Sequence, residues 1–166
     1  MIHVVLMQPE IPQNTGNIMR TCVGTNVMLH LIEPLGFKID DQKLRRSAVD
    51  YYDHLNFHIH KSFEEFKKTH KGQFFFLTRY GKHKHSDPVY SEIKEDIYLV
   101  FGKESTGIPR DILKDDLAHC MRIPMTDNVR SLNLSNCCAI VIYEVLRQLD
   151  YLDLLRVEPH KSEDYI

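Results

Sequence analysis

Three polar stretches of the chain carry residue types suited to chemistry: NTGNIMRT (Asn14–Thr21), FGKESTGIP (Phe101–Pro109) and RIPMTDNVRSLNLSN (Arg122–Asn136). The last sets Thr126, Asp127, Asn128, Arg130, Ser131, Asn133, Ser135 and Asn136 between a short apolar strand and an oily helix without charge until Glu144. An ordinary connection needs far fewer residues, and long ordered loops in compact domains are usually functional. Ser131 and Asn133 stand just ahead of that helix, whose first-turn amides are open to a cap or a ligand carboxylate. In the first stretch Asn14, Gly16 and Asn17 are expected at a strand-to-helix turn, where asparagine and glycine tolerate left-handed backbone. Arg20 follows one turn into the helix, on the same side as Asn17. Taken by itself, that segment is slightly better explained as a capped helix with a surface arginine. The second stretch fails as a phosphate loop, because GK is followed by Glu104 and has no glycine five residues ahead. Gly102 would let a backbone approach a ligand closely; a purely structural turn explains it equally well. No GxGxxG occurs, so a dinucleotide site has no support.

The elements that must hold these loops alternate in type. IHVVLM (Ile2–Met7), Leu29–Ile32, Asn56–His60, QFFFLT, IYLVFG and HCMRIP read as strands. Helices are expected near Asn17–Gly24, at Gln42–Ser47, over SFEEFKKTH and over Leu134–Leu149. Ser62, followed three residues later by Glu65, has capping-box spacing. Strands separated by helices imply a mostly parallel α/β sheet with helices on both faces, and ligands then sit beyond the carboxyl ends of strands. The three polar stretches leave such ends. In the last helix, Leu134, Cys138, Val141, Ile142, Val145 and Leu149 form one apolar stripe, widened by Cys137 and Ile140. Burial in the core explains the stripe, and its width also suits a second subunit.

At 166 residues, 43% hydrophobic and 27% charged, the chain fits one folded domain, taken as residues 1–150 with a tail over 151–166. No apolar run has the length of a membrane span and MIHVVLMQPE is no signal segment, so a cytoplasmic protein is expected. Cys22, Cys120, Cys137 and Cys138 lack zinc spacing and read as buried thiols. The net charge of -2 is no general nucleic-acid signature. Lys43, Arg45 and Arg46, and the RYGKHKH cluster, are local exceptions that each read alone as solvated faces. The HIH run (His58–His60) directs alternate side chains to one face. A metal could bind there, but ordinary packed or surface histidines are the better account, and no metal is expected.

In this order the three stretches resemble the signature motifs of SPOUT-class RNA methyltransferases. With LMQPEIPQNTGNIMRTC, HLIEPLGF, LRRSAVDYYDH, RIPM and RSLNLSN, the chain from Ile2 to about Leu149 is similar to the minimal TrmL/YibK type, the tRNA wobble-nucleotide 2′-O-ribose methyltransferases. The resemblance implies an α/β domain with a C-terminal trefoil knot, a rare exception to normal connectivity. It implies S-adenosylmethionine as donor, held among Leu77, Gly102, Ile123, Met125, Ser131 and Leu132. Arg20 would activate the ribose hydroxyl, Asn17 and Arg130 would position ribose or phosphate, and Asn133 and Ser135 would support the turn. A homodimer would join Arg20, Arg45, Arg46 and Arg130 into a groove for the tRNA anticodon stem-loop, with Arg46 and Arg130 on RNA. Cytidine or uridine 34 of leucine isoacceptors is the implied target. Methylation of another RNA such as rRNA, and a non-catalytic RNA-binding role, are the alternatives.

Overall fold

IHVVLM, QFFFL and IYLVF are continuous apolar runs, the pattern of strands covered on both faces. The structure, a computed structural model, describes residues 1–39 and 54–159. Within it these runs become β1 (Ile2–Met7), β4 (Gln73–Leu77) and β6 (Ile97–Phe101) of a seven-stranded sheet. The others are β2 (Met28–Ile32), β3 (Phe57–His60), β5 (His83–Lys84) and β7 (Cys120–Arg122). The order is β3-β2-β1-β6-β4-β7-β5, and every neighbouring pair is parallel.

Parallel strands need crossovers, and four described helices cover the sheet: α1 (Pro12–Thr25), α2 (Phe63–Thr69), α3 (Arg110–Lys114) and α4 (Leu134–Gln148). Ile18, Met19 and Cys22 of α1 join Cys138, Val141, Ile142, Val145 and Leu146 of α4 in one core, against Val4, Leu6, Leu99 and Phe101. Phe63 and Phe66 of α2 and Leu113 of α3 close a second core with Val5, Phe74, Phe76, Tyr98 and Val100. Alternating residues of each strand therefore feed opposite cores, as the two-residue period demands.

The helix at 62–70 starts as expected, with Ser62 accepting the Glu65 amide at 3.2 Å. The first helix does not. It begins at Pro12, five residues before Asn17, with proline in its first turn, where the missing N–H costs nothing. Asn14, Gly16 and Asn17 consequently lie inside α1, not in a turn before it. HCMRIP supplies β7 as expected, but β5 and the short α3 were not expected from RYGKHKH and from the stretch after Pro109. Two-residue and five-residue elements lack the length to show a period. The helix expected at Gln42–Ser47, with Lys43, Arg45 and Arg46, lies outside the described residues.

All four cysteines are free; Cys22, Cys120 and Cys138 are buried and Cys137 half-buried. Burial pushes the Cys22 thiol up to about 12 and raises Cys138 well above its ordinary value, so both stay protonated and inert near neutrality. Among the described residues no helix is long and apolar enough to cross a membrane. After β7 the chain runs past the carboxyl ends of β4 and β6 before returning as α4, a path consistent with the knot that the resemblance implies.

Phe76 is fully buried in β4, one residue before Leu77. Phe76→Ala should cost about 3–5 kcal/mol of stability in urea unfolding, whereas Ile140→Ala on the exposed side of α4 should cost well under half of that.

Candidate active site

Loops leaving the carboxyl ends of β4, β6 and β7 meet around a cavity of about 750 Å³. That size suits a nucleoside-sized ligand. The strand order places it beside the central strands, where α/β sheets bind their ligands. Leu77, Gly102, Ile123, Met125, Ser131 and Leu132 all line it, as does Arg130. Asn17 and Arg20 do not: both are exposed on the outer side of α1, away from the lining. Arg46 lies outside the described residues.

The loop after β6 is a closed turn. The Gly107 amide donates to the Lys103 carbonyl at 2.9 Å, and Gly107 has a φ of 74°, a conformation glycine adopts without penalty. A Cβ on Gly102 would collide with the backbone of Gly107 and Ile108. The missing side chain at 102 is thus required first by the turn itself.

Glu104 reaches out of this turn to the start of α1. Its carboxylate accepts the amides of Glu10 (2.8 Å) and Ile11 (3.2 Å) and the side-chain amide of Asn14 (3.0 Å). Ile11 supplies no side-chain cap, so a carboxylate 93 residues away serves the positive end of the helix instead. Glu10 returns the contact, accepting from the amide and hydroxyl of Ser105, both at 2.9 Å. Those bonds hold the Glu10 carboxyl below its ordinary value.

The third loop joins through Asn14. Asn133 donates from Nδ2 to Asn14 Oδ1 at 2.9 Å, while its own Oδ1 accepts the Ser135 amide at 2.9 Å and caps α4. Asn14 is 6% exposed, with its amide nitrogen on an acceptor and its oxygen on a donor. Its orientation is therefore fixed by its partners. The line Glu104–Asn14–Asn133 fastens all three polar loops to one another.

Sequence reasoning placed Asn14 in the first loop without giving it this role, because both partners are distant in sequence. It also missed Thr78, Arg79 and Tyr80, which line the cavity from the loop after β4. The rule that ligands lie beyond strand carboxyl ends would have found them. Cys137 lines it as well, from the first turn of α4.

Chemically, the site combines apolar and polar lining. Leu77, Ile108, Ile123, Met125, Leu132 and Leu134 supply apolar surface, and the surrounding loops expose backbone donors and acceptors. A planar base with an amphipathic tail fits such a lining. Residues 1–143 match the SpoU rRNA Methylase family.

The chain belongs to the SpoU methylase family. A Bacillus subtilis member, provisionally named a tRNA (cytidine(34)-2'-O)-methyltransferase, is 52% identical over 92% of this chain and 96% of its own. The crystal structure of a Bacillus anthracis protein, provisionally described as an RNA methyltransferase, superposes with a TM-score of 0.88 at 52% identity, covering 95% and 100% of the two chains. A further solved structure, described as giving structural insights into the 2-OH methylation of C/U34 on tRNA, gives a TM-score of 0.81 at 39% identity, covering 90% and 97%. The parallel α/β architecture expected of SPOUT methyltransferases is the one observed.

Asn14→Asp keeps size but replaces the donor facing Glu104 with a carboxylate. It should lower stability by roughly 1–3 kcal/mol in urea unfolding at pH 7. An unchanged midpoint would mean that the three loops do not depend on this contact.

Proposed function

We propose that this SpoU-family chain transfers a methyl group from S-adenosylmethionine to the ribose 2′-oxygen of the wobble nucleotide, cytidine or uridine 34, of tRNA. Leucine isoacceptors are the expected substrates. One observation carries the reading: the six residues expected around the donor come from three separated loops and line a single cavity. The names borne by relatives over nearly the whole chain support tRNA over the ribosomal RNA of the family's own description. A non-catalytic RNA-binding role gives no reason for so complete a lining.

In this reading the apolar side chains of Leu77, Ile123, Met125 and Leu132 flank the adenine, and backbone groups near Gly102 and Ser131 read its polar edge. The bound donor supplies a methyl group on a cationic sulfur. The protein's task is then alignment of the ribose hydroxyl and stabilisation of charge on its oxygen. As the carbon–oxygen bond forms and the sulfur–carbon bond breaks, the hydroxyl proton passes to water. Arg20 stabilises the developing alkoxide by a charge-assisted hydrogen bond; a guanidinium is a poor base. Asn17 and Arg130 position the ribose and neighbouring phosphate, and Arg46 adds a phosphate contact.

Arg20 lies outside the cavity of its own chain, so in this reading it acts at a boundary between two copies. Ile140 and Tyr143 remain exposed on α4, next to α1, and offer apolar surface for such a homodimer. Residues 1–150 would form the catalytic unit, residues 151–166 its tail, and the protein would work in the cytoplasm on the anticodon stem-loop. RNA binding through phosphates would weaken steeply with salt.

Ribose-methylation mapping by mass spectrometry, on total RNA from cells with and without the protein, should show loss of one 2′-O-methyl at tRNA position 34. Arg20→Ala should lower turnover roughly 10²–10³-fold while calorimetry finds donor binding little changed. Near-normal turnover in that variant would remove Arg20 from the chemistry.

A further inference from the structure

On the sheet face covered by α2, the strands carry a row of histidines. His30 of β2 stands opposite His58 of β3 in the register, and His60 follows two residues on. His3 of β1 comes from the same side. The rings touch in sequence: His3 Nδ1 is 2.9 Å from His30 Nε2, and His30 Nδ1 is 2.9 Å from His60 Nε2. Phe66 and Tyr98 wall the row, with the His3 ring stacked on Tyr98 at 4.5 Å and the His70 ring on Phe66 at 4.2 Å. None of these histidines lines the three-loop cavity.

The contacts favour one set of ring tautomers. His3 Nε2 is buried, has no hydrogen-bond partner, and lies 3.6 Å from the Asp96 carboxylate. That is too long for a hydrogen bond, but the negative charge favours a proton on this nitrogen. His3 Nδ1 is then an acceptor, His30 donates to it from Nε2, and His30 Nδ1 keeps a lone pair aimed at His60. His70 Nδ1 lies 3.0 Å from the Phe66 carbonyl oxygen, which can only accept. The Thr69 hydroxyl lies 3.0 Å from the same nitrogen; a proton on Nδ1 suits both neighbours and leaves the Nε2 lone pair for a ligand. Burial lowers both His30 and His3 below the ordinary histidine value.

One coordinating nitrogen from each of His30, His60 and His70 lies within 4.8 Å of the other two. We propose that these three side chains form a binding site for a borderline divalent transition metal such as Zn²⁺, separate from the catalytic cavity.

Neutral imidazole is the ligand type that suits this class of ion. Two nitrogens bound to one tetrahedral zinc stand about 3.3 Å apart, from bond lengths of about 2.0–2.1 Å. The 2.9 Å His30–His60 pair needs only a small opening for the ion to replace their shared proton. His70 closes the rest of the gap from the C-terminal end of α2, where it is half-buried and its backbone is extended. A water completes the fourth position. The outer contacts are partly arranged: His30 meets His3 at 2.9 Å, and the far nitrogen of His3 faces the Asp96 carboxylate at 3.6 Å, the kind of outer partner that commonly orients a metal-bound imidazole. Glu65 adds negative potential at His60. A bound ion would fasten the edge strand β3 and the end of α2 to β2. Without one, the cluster is a packed stack of rings.

The test uses the full-length protein, freed of metal by chelator and then dialysed. Zn²⁺ competition against a chromophoric chelator should give one ion per chain, and Co²⁺ should develop the visible absorption of a four-coordinate site. Zn²⁺ should also raise the thermal midpoint, because it binds the folded chain preferentially. His70→Ala and His60→Gln should each weaken binding by more than about 10-fold, the least that loss of an outer partner costs. His83→Ala, at an exposed surface position, should leave it unchanged. Absence of stoichiometric uptake by the wild-type chain overturns the proposal, as does uptake that survives both substitutions in variants with native circular dichroism.

Discussion

Glu104 is the side chain on which the arrangement of the site rests. Its carboxylate sits at the positive end of α1, receives two backbone amides and the Asn14 side chain, and so binds the loop after β6 to the loop after β1. Asn14 passes the constraint to Asn133, which caps α4. A charged acceptor with three donors makes stronger bonds than neutral pairs do. The loops of such a site would otherwise be its most mobile parts. Here each is pinned at a helix end, where unsatisfied amides exist in any case.

Everything else in the fold serves to bring those helix ends together. The central strands are buried on both faces, so α1 and α4 must share one face and α2 and α3 the other. Because all pairings are parallel, the loops after β1, β4, β6 and β7 emerge at the same edge. A site made of distant sequence segments is the natural product of that geometry. The opposite core follows another logic: aromatic rings and histidines pack among its aliphatic chains.

The strands β1, β4 and β6 were legible because continuous apolar runs bounded by polar residues have few other readings. So was α4, whose stripe at three- and four-residue steps is buried as expected at Cys138, Val141, Ile142 and Val145. The cavity lining was also legible, through Leu77, Gly102, Ile123, Met125, Ser131 and Leu132, but only by resemblance. The start of α1 was misplaced by five residues. Local sequence offers no capping side chain before Pro12, and the one that serves comes from Glu104. The HIH run showed two histidines on one face. It could not show His3, His30 and His70, which reach them across β1, β2 and the end of α2.

By itself the sequence determined what local period and composition can carry: a single α/β chain, parallel strands, and polar loops at strand ends. Motif order added the family. Tertiary structure alone decided which polar atoms meet: Glu104 with Asn14, Asn14 with Asn133, and His30 with His60 and His70. It also decided that Arg20 faces outward while Arg130 faces the cavity. The physical reason is range. Hydrophobic periodicity acts over neighbouring residues and leaves its mark in every turn of a helix or strand. A hydrogen bond between residues about ninety positions apart leaves no pattern until the sheet has brought its partners within 3 Å.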